Sequence, residues 1–468
     1  MNRTAIPAFL FSIVVLAFLW TTVHDPFFWD AIQLGSKHAH FFYENNLRWA
    51  LLPESIDSGH PPVFGYYLAW VWTLLGKHLV VTHMALWPFV LGSVILVVRM
   101  GPQIAGPEWG YWLAPLFLLD PVVAGQIAGL GPDVALVFFF LLSVFGIVRQ
   151  APALLLIGVL GLCAVGMRGM MTAAALALWQ LLMIVPGSPP FRLYAMARRF
   201  LSFLPGFAFA AWFLFWHHRQ AGWIGHHPGS PWSTTFEMVG PAGGLRNLLI
   251  LGWRWVDLGR WAEWVVLGVI WWKQPRLFQA AKPWVLLLVC TAVFLSPTAI
   301  LYQNISAHRY FLPAFVSLHL LTLSVCARAF AHAGLQNKVI LASLCASLAF
   351  GNRWVYPHGV SMTWDSTLAH LPYHQLRADM IDFMDRRGIP LETVGTAFPN
   401  INTGENIALN GDSRSFAEIN PQTNQYILIS NVFNDVGRED RSQLQNKWRL
   451  FRRTEHAGVW MELYKSKP

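Results

Sequence analysis

Long apolar runs separated by short polar breaks occupy the first three-quarters of the chain. A helix needs about 20 mostly apolar residues to cross a bilayer. The pattern predicts membrane spans at 5–22, 79–98, 109–128, 133–149, 151–167, 169–186, 200–217, 261–273, 283–303, 310–331 and 338–351. The run 62–76 is short, and its sequence fits either a span or an interfacial helix. The expected fold class is an all-α polytopic membrane protein with about eleven spans plus interfacial helices.

The pattern changes after residue 352. Leu376, Met380, Phe383 and Met384 share one face of a predicted helix. The segments LETVGTAF, QYILISNVF and VWMELYKS have the alternation or clustering typical of strands. We therefore expect two units, a transmembrane catalytic domain over 1–352 and a small α/β soluble domain over 353–468, outside the membrane.

Composition supports the membrane assignment. Hydrophobic residues make up 55% and charged residues 12%, whereas soluble domains carry roughly 25% charged residues. The net charge of +9 arises within 1–352, where no basic soluble face indicates nucleic-acid binding. The start of the chain lacks a cleavage site, so we interpret it as a first transmembrane helix. The four cysteines lie in apolar runs and are expected to be small buried hydrophobes.

Basic residues set the predicted topology, because cytoplasmic loops are enriched in Lys and Arg. With Arg3 inside and 62–76 not crossing, most basic residues between spans fall on the cytoplasmic side. The C-terminal domain and the loops 23–61 and 218–260 then lie outside. The aromatic residues of 23–61 suggest short helices lying in the membrane plane.

Several ionisable residues lie at the outer ends of the predicted spans. Asp30 is in the first outer loop, Asp133 opens a span, and Arg168 and Arg309 lie at two further outer turns. A carboxylate can act as general base for a hydroxyl. An Arg can bind two oxygens of a phosphate and stabilise a phosphate leaving group. This combination favours group transfer from a phosphate-linked donor.

Short motifs in these places resemble those of the GT-C glycosyltransferases. They are Phe27–Ala31, Gly59–Pro62, Gly131–Leu136, Arg168-Gly169 and His308–Pro313. The most similar branch is the group of protein O-mannosyltransferases and aminoarabinose–lipid A transferases. The motifs follow the family order across the membrane part, and a C-terminal domain outside the membrane also fits.

The resemblance implies inverting sugar transfer from a polyprenyl-phosphate donor outside the cytoplasm. It implies that Asp30 is the catalytic base, that Asp133 positions the acceptor or the base, and that His60, Arg168 and Arg309 bind the donor phosphate. Tyr310, beside Arg309, is assigned to the same phosphate site. Two departures stand out: Ala31 occupies the place of the family's usual Glu, and Arg168 replaces Lys. The first weakens the case for a metal and for the protein-mannosyltransferase branch, and the second changes the geometry of the cation.

Each residue also has a purely structural interpretation. Asp30 and Asp133 would cap helices, Arg168 and Arg309 would snorkel to lipid headgroups, and His60-Pro61-Pro62 would join two helices. Tryptophans favour membrane interfaces, although Trp223 and Trp232 in the 218–260 loop are candidates for stacking on sugar or acceptor. Four histidines at and just after the start of this loop have no recognised metal spacing, so a solvated loop is expected; they are His217, His218, His226 and His227.

The preferred function is transfer of a hexose or pentose from a polyprenyl-phosphate donor to a hydroxyl of a lipid or glycan, with a protein acceptor less favoured. The alternative is a transporter or flippase of lipid-linked saccharides. Transporters place polar groups at mid-membrane within internal repeats, whereas these residues cluster at one interface. No cofactor is required, and a divalent cation stays an open addition. Membrane lipids are expected partners, and the family branch suggests a bacterial inner membrane with the site facing the periplasm or exterior.

Overall fold

The computed structural model describes residues 4–183, 199–227, 229, 233–303, 305–330, 334–358, 360 and 363–467. Helices dominate the chain up to residue 351 and pack around one large apolar core. A second core, mainly from residues 356–464, belongs to a mixed sheet and its helices. The expected fold class, a helical membrane protein followed by a small α/β unit, is confirmed.

The helices of the first part have these bounds: α1 Ala5–Thr22, α2 His38–Glu44, α3 Val63–Leu75, α4 Leu79–Trp109, α5 Leu113–Leu119, α6 Pro121–Ala128, α7 Asp133–Val148, α8 Pro152–Val165, α9 Met167–Leu182, α10 Leu204–Ala221, α11 Pro241–Val256, α12 Trp261–Lys273, α13 Arg276–Ala280, α14 Lys282–Leu301, α15 Leu312–Ala329 and α16 Leu335–Gly351. A π-helical segment, Ile32–Lys37, leads into α2, and a 3-10 turn, His308–Phe311, leads into α15.

Four helical stretches in the described part of the chain are long and apolar enough to cross a membrane: Ala5–Thr22, Leu79–Leu119, Lys282–Leu301 and His308–Ala329. Shorter apolar helices include α3, α7, α8 and α16. The expected count of eleven spans stays a prediction. The four cysteines are free and buried, as expected.

The predicted span 109–128 is wrong in detail, because the helix breaks at Asp120. Its carboxylate caps α6 by accepting the amide hydrogens of Val122 and Val123, and it pairs with the buried Arg260. The kink before it is at Gly106, which has a φ of +75°. A proline follows each break, and proline is favoured at the first position of a helix.

Two predicted loops also differ from the structure. The 218–260 segment contains α11, which packs against α14 while Leu245, Leu249 and Trp253 remain exposed. This amphipathic helix escaped the apolar-run criterion because polar residues interrupt it. In the 23–61 segment short helices form, as expected, but Phe27 and Phe42 are buried in the protein core.

The C-terminal unit is a five-stranded sheet in the order β2-β1-β3-β5-β4. The strands are β1 Val394–Thr396, β2 Ala417–Glu418, β3 Tyr426–Ser430, β4 Trp448–His456 and β5 Val459–Ser466. The first three are parallel, and β5 pairs antiparallel with β3 and β4. The helices are α17 Pro372–Arg386, α18 Gly404–Ala408 and α19 Arg438–Lys447. Helix α17 buries Leu376, Met380 and Met384, the face predicted from the sequence.

Candidate functional site

The position of Asp30 is fixed by the three residues that precede it in the chain. The backbone of Trp29 has a φ of +54°, which is unusual for a bulky residue and marks a sharp turn immediately before Asp30. The amide of Phe27 donates to the carbonyl of Ile407, 2.8 Å away, and the Phe28 ring stacks on His370 of the C-terminal part. The C-terminal unit therefore helps to position the candidate base.

Arg309 lies at the centre of the predicted residues. Its Nη2 pairs with Asp30, its Nη1 donates to Asp133 over 3.1 Å, and its Nε lies 2.6 Å from Oδ2 of Asp365. The Arg309 side chain is only 3% exposed. Each guanidinium nitrogen thus has a different carboxylate partner. An arginine that only reached out to lipid headgroups would be exposed and would not need three carboxylate partners.

Arg168 supplies the second cation. Its Nη1 lies 2.7 Å from Oδ1 of Asp133, and its Nη2 donates to the other oxygen over 3.3 Å. Asp133 is the first residue of α7, where a carboxylate also favours the helix dipole. One buried carboxylate therefore holds both arginines at the ends of different helices.

His60 and Tyr310 complete the set. The amide of Met167 donates to Nδ1 of His60, 3.1 Å away, so that this ring nitrogen is unprotonated. Burial, together with the nearby Arg168 charge, lowers the pKa of His60 to about 4. Arg168 and Arg309 both lie against the Tyr310 ring, at 4.7 and 4.9 Å from its centre.

Four of these residues, Asp30, His60, Arg168 and Tyr310, border a cavity of about 190 Å³. Asp30, His60, Arg168, Tyr310 and Ser58 form its polar wall. Its apolar wall includes Leu34, Met171, Phe236, Leu295 and Ile305. A smaller adjoining cavity is lined by Asp133 together with His60 and Arg168. A polar end against an apolar wall suits an amphiphile that carries an anionic group.

The two tryptophan candidates are placed differently. Trp223 packs edge-on against His217 and lies 4.7 Å from His227, ring centre to ring centre, and it is not among the residues that line the cavity. Trp232 lies outside the described residues. The expected solvated histidine loop is wrong for His217 and His227, which are 2% and 4% exposed. Their partners are Asp57, 2.9 Å from Nε2 of His217, and Glu54, 3.0 Å from Nδ1 of His227.

Sequence reasoning missed Asp365, which belongs to a connection after the last membrane helix that we call the strap, residues 363–371. Its backbone carbonyl accepts from Gln126 over 2.5 Å. A Cβ on Gly125 would lie 2.8 Å from the amide nitrogen of Thr367, so the strap packs directly on α6. Burial raises the pKa of Asp365 to about 6. A short segment without apolar periodicity gave no signal for it.

A second missed feature is a buried polar network behind the site. Asp120 pairs with Arg260 and lies 3.3 Å from His319, which in turn contacts Glu263 at 2.7 Å. Next to Arg309 in sequence, His308 lies 2.8 Å from Asp257. The sequence contained a signal for this network. An isolated acid inside an apolar run is costly to bury, so it is expected to have a buried partner.

The chain as a whole has the fold of a GT-C glycosyltransferase. The chain superposes on crystal structures of ArnT from Cupriavidus metallidurans, one bound to undecaprenyl phosphate and one in the apo state. ArnT is an aminoarabinose–lipid A transferase. Each match has a TM-score of 0.52 and 11% sequence identity, and covers 97% of both chains. No family model matches the chain, and no curated protein matches it. The family resemblance of the motifs is thereby confirmed at the level of the fold.

Proposed function

We propose that this protein transfers a sugar from a polyprenyl-phosphate donor to a hydroxyl of a lipid or glycan, with inversion at the anomeric carbon. The observation that carries the proposal is one ion-pair cluster of Asp30, Asp133, Arg168 and Arg309, of which Asp30 and Arg168 line the cavity. Four sequence motifs that are distant along the chain supply these residues. That an ArnT structure holds undecaprenyl phosphate supports the donor class.

The proposed chemistry gives a separate role to the carboxylates and to the arginines. Asp30 takes the proton from the acceptor hydroxyl, and the oxygen attacks the anomeric carbon. The bond between that carbon and the phosphate oxygen breaks, and the phosphate leaves with an added negative charge. Arg168 and Arg309 stabilise this charge, while Asp133 keeps both guanidinium groups in place. Because Arg168 and Arg309 supply the positive charge at the leaving phosphate, we expect activity to persist in EDTA.

The apolar wall suits the polyprenyl chain of the donor. Met171 and Leu295 belong to α9 and α14, and Phe236 belongs to the segment before α11. We expect the acceptor to enter from the outer side, between the 218–260 segment and the C-terminal unit. The site lies on the same side of the helices as the C-terminal unit, because Asp365 contacts Arg309. We assign that side to the periplasm or exterior of a bacterial inner membrane.

The test is a transfer assay with purified protein and a panel of radiolabelled polyprenyl-phosphate sugars, offered with lipid and glycan acceptors. We expect the wild type to release polyprenyl phosphate and Asp30→Asn to lose at least about 100-fold in rate, as for removal of a general base. Equal rates in the two proteins would remove Asp30 from the mechanism. Movement of intact donor across vesicles without cleavage would instead favour the flippase alternative.

A further inference from the structure

Asp30 and Arg309 are in direct contact, although the proposed mechanism needs both groups free. Arg309 is to bind the donor phosphate, and Asp30 is to accept a proton from the acceptor. The contact therefore represents a resting arrangement, and the geometry shows which partner can leave.

The three carboxylates around Arg309 differ in exposure. Asp30 is 22% exposed and lines the cavity, whereas Asp133 and Asp365 are 1% and 10% exposed and do not line it. Arg309 itself is screened from the cavity. A phosphate that enters meets Arg168, which is 18% exposed. The nitrogen of Arg309 nearest to the cavity lining is Nη2, because its partners Asp30 and the Tyr310 hydroxyl both line the cavity.

The other two nitrogens of Arg309 are held from behind. Asp133 also binds Arg168, so it cannot leave without disturbing both cations. Asp365 is fixed by its backbone contact to Gln126 and by the strap, whose Trp364 donates its indole N–H to the carbonyl of Asn431. Asp30 is thus the one exchangeable partner among the three.

We propose that Asp30 and the donor phosphate are alternative partners of Arg309, so that donor binding releases Asp30 and makes it available as a base. Asp365 is then a positioning residue, which keeps Arg309 directed at the cavity after Asp30 has moved. The inference rests on the proposed function. It implies an ordered reaction, in which the base is freed only after the donor is in place.

The test measures binding of undecaprenyl phosphate to the full-length protein in detergent. If Asp30 occupies Arg309 for about nine-tenths of the time, its removal strengthens apparent affinity roughly tenfold. We expect Asp30→Asn and Asp30→Ala to bind more tightly by about this factor. The two variants cover the case in which one of them does not fold, as judged by gel filtration.

Asp133→Asn is the matched control. It removes a carboxylate from the same arginine, but one that holds both cations in place, so we expect weaker binding. Tighter binding in the Asp30 and Asp133 variants alike would mean simple relief of charge repulsion and would overturn the competition. Unchanged or weaker binding in the Asp30 variants would do the same while leaving the proposed function standing. Absence of binding in every protein, wild type included, would overturn both.

Discussion

Asp120→Asn tests whether the buried ion pair behind the site holds the membrane part together. Asp120 and Arg260 are fully buried, with oxygen–nitrogen distances of 2.9 and 3.2 Å. Asparagine keeps an oxygen to cap α6, but it leaves Arg260 without its paired charge. Breaking a buried pair in this way costs about 3–5 kcal/mol. Asp257, 3.9 Å from Arg260, offsets part of the loss, so we expect about 3 kcal/mol.

The assay can use the protein's own cysteines. All four are buried in the membrane part, so a thiol-reactive fluorogenic dye reports its unfolding on heating in detergent. Far-UV circular dichroism gives an independent reading. We expect the melting temperature of Asp120→Asn to fall by several degrees, because one uncompensated charge stays in an apolar interior.

The matched control is Asp385→Asn in the C-terminal unit. Asp385 also pairs with an arginine through two contacts, at 2.6 and 3.2 Å, but it is 41% exposed. An exposed pair of this kind contributes about 0–1 kcal/mol. The double variant Asp120→Asn/Arg260→Met should recover part of the lost stability, since it removes the stranded charge. Similar small losses for Asp120→Asn and Asp385→Asn would refute the reasoning.

Three further predictions follow from local geometry. Gly169→Ala should prevent stable folding, because its Cβ would lie 1.8 Å from the carbonyl oxygen of Leu162. The control Gly268→Ala has open space around it inside a helix, so it should keep or slightly raise the melting temperature in the same assay. Because burial raises the pKa of Asp365 to about 6, its protonated form favours the fold; this contribution is present below about pH 4 and lost as pH rises through about 6. Asp365→Asn should therefore flatten the dependence of melting temperature on pH in that window. Thr403→Ala removes the N-cap of α18 and should cost about 1 kcal/mol, with a control at the exposed Thr423.

The sequence allowed the helical part and the site motifs to be predicted because both depend on local signals. Apolar runs report burial in a membrane directly, and an acid after Gly-Pro marks the start of α7 at Asp133. That Asp30, Asp133, Arg168 and Arg309 lie near one another was expected because the topology placed the ends of their spans on one side; the central position of Arg309 comes from the structure. The same reasoning predicted the buried face of α17.

The remaining features depend on pairing between distant residues. Arg260 is acceptable in the interior only because Asp120 lies beside it, and 140 residues separate them along the chain. Asp365 contacts Arg309 only because the strap packs on α6, and the sequence of the strap has no periodic pattern. Helix α11 is amphipathic, so a search for continuous apolar runs passed over it. Long-range electrostatic partners cannot be deduced from one sequence without its fold.

The strap has a consequence for how the protein matures. The residues around Arg309 extend from position 30 to position 365, and Trp364 is anchored in the core of the C-terminal unit. Domains fold in order as the chain emerges from the ribosome. The cluster therefore cannot close until the last membrane helix has been inserted and the C-terminal unit has folded beyond it. A nascent or truncated chain would bring together the first-loop aspartate and both arginines yet lack the third carboxylate, so Arg309 would gain its full set of partners only after biogenesis is complete.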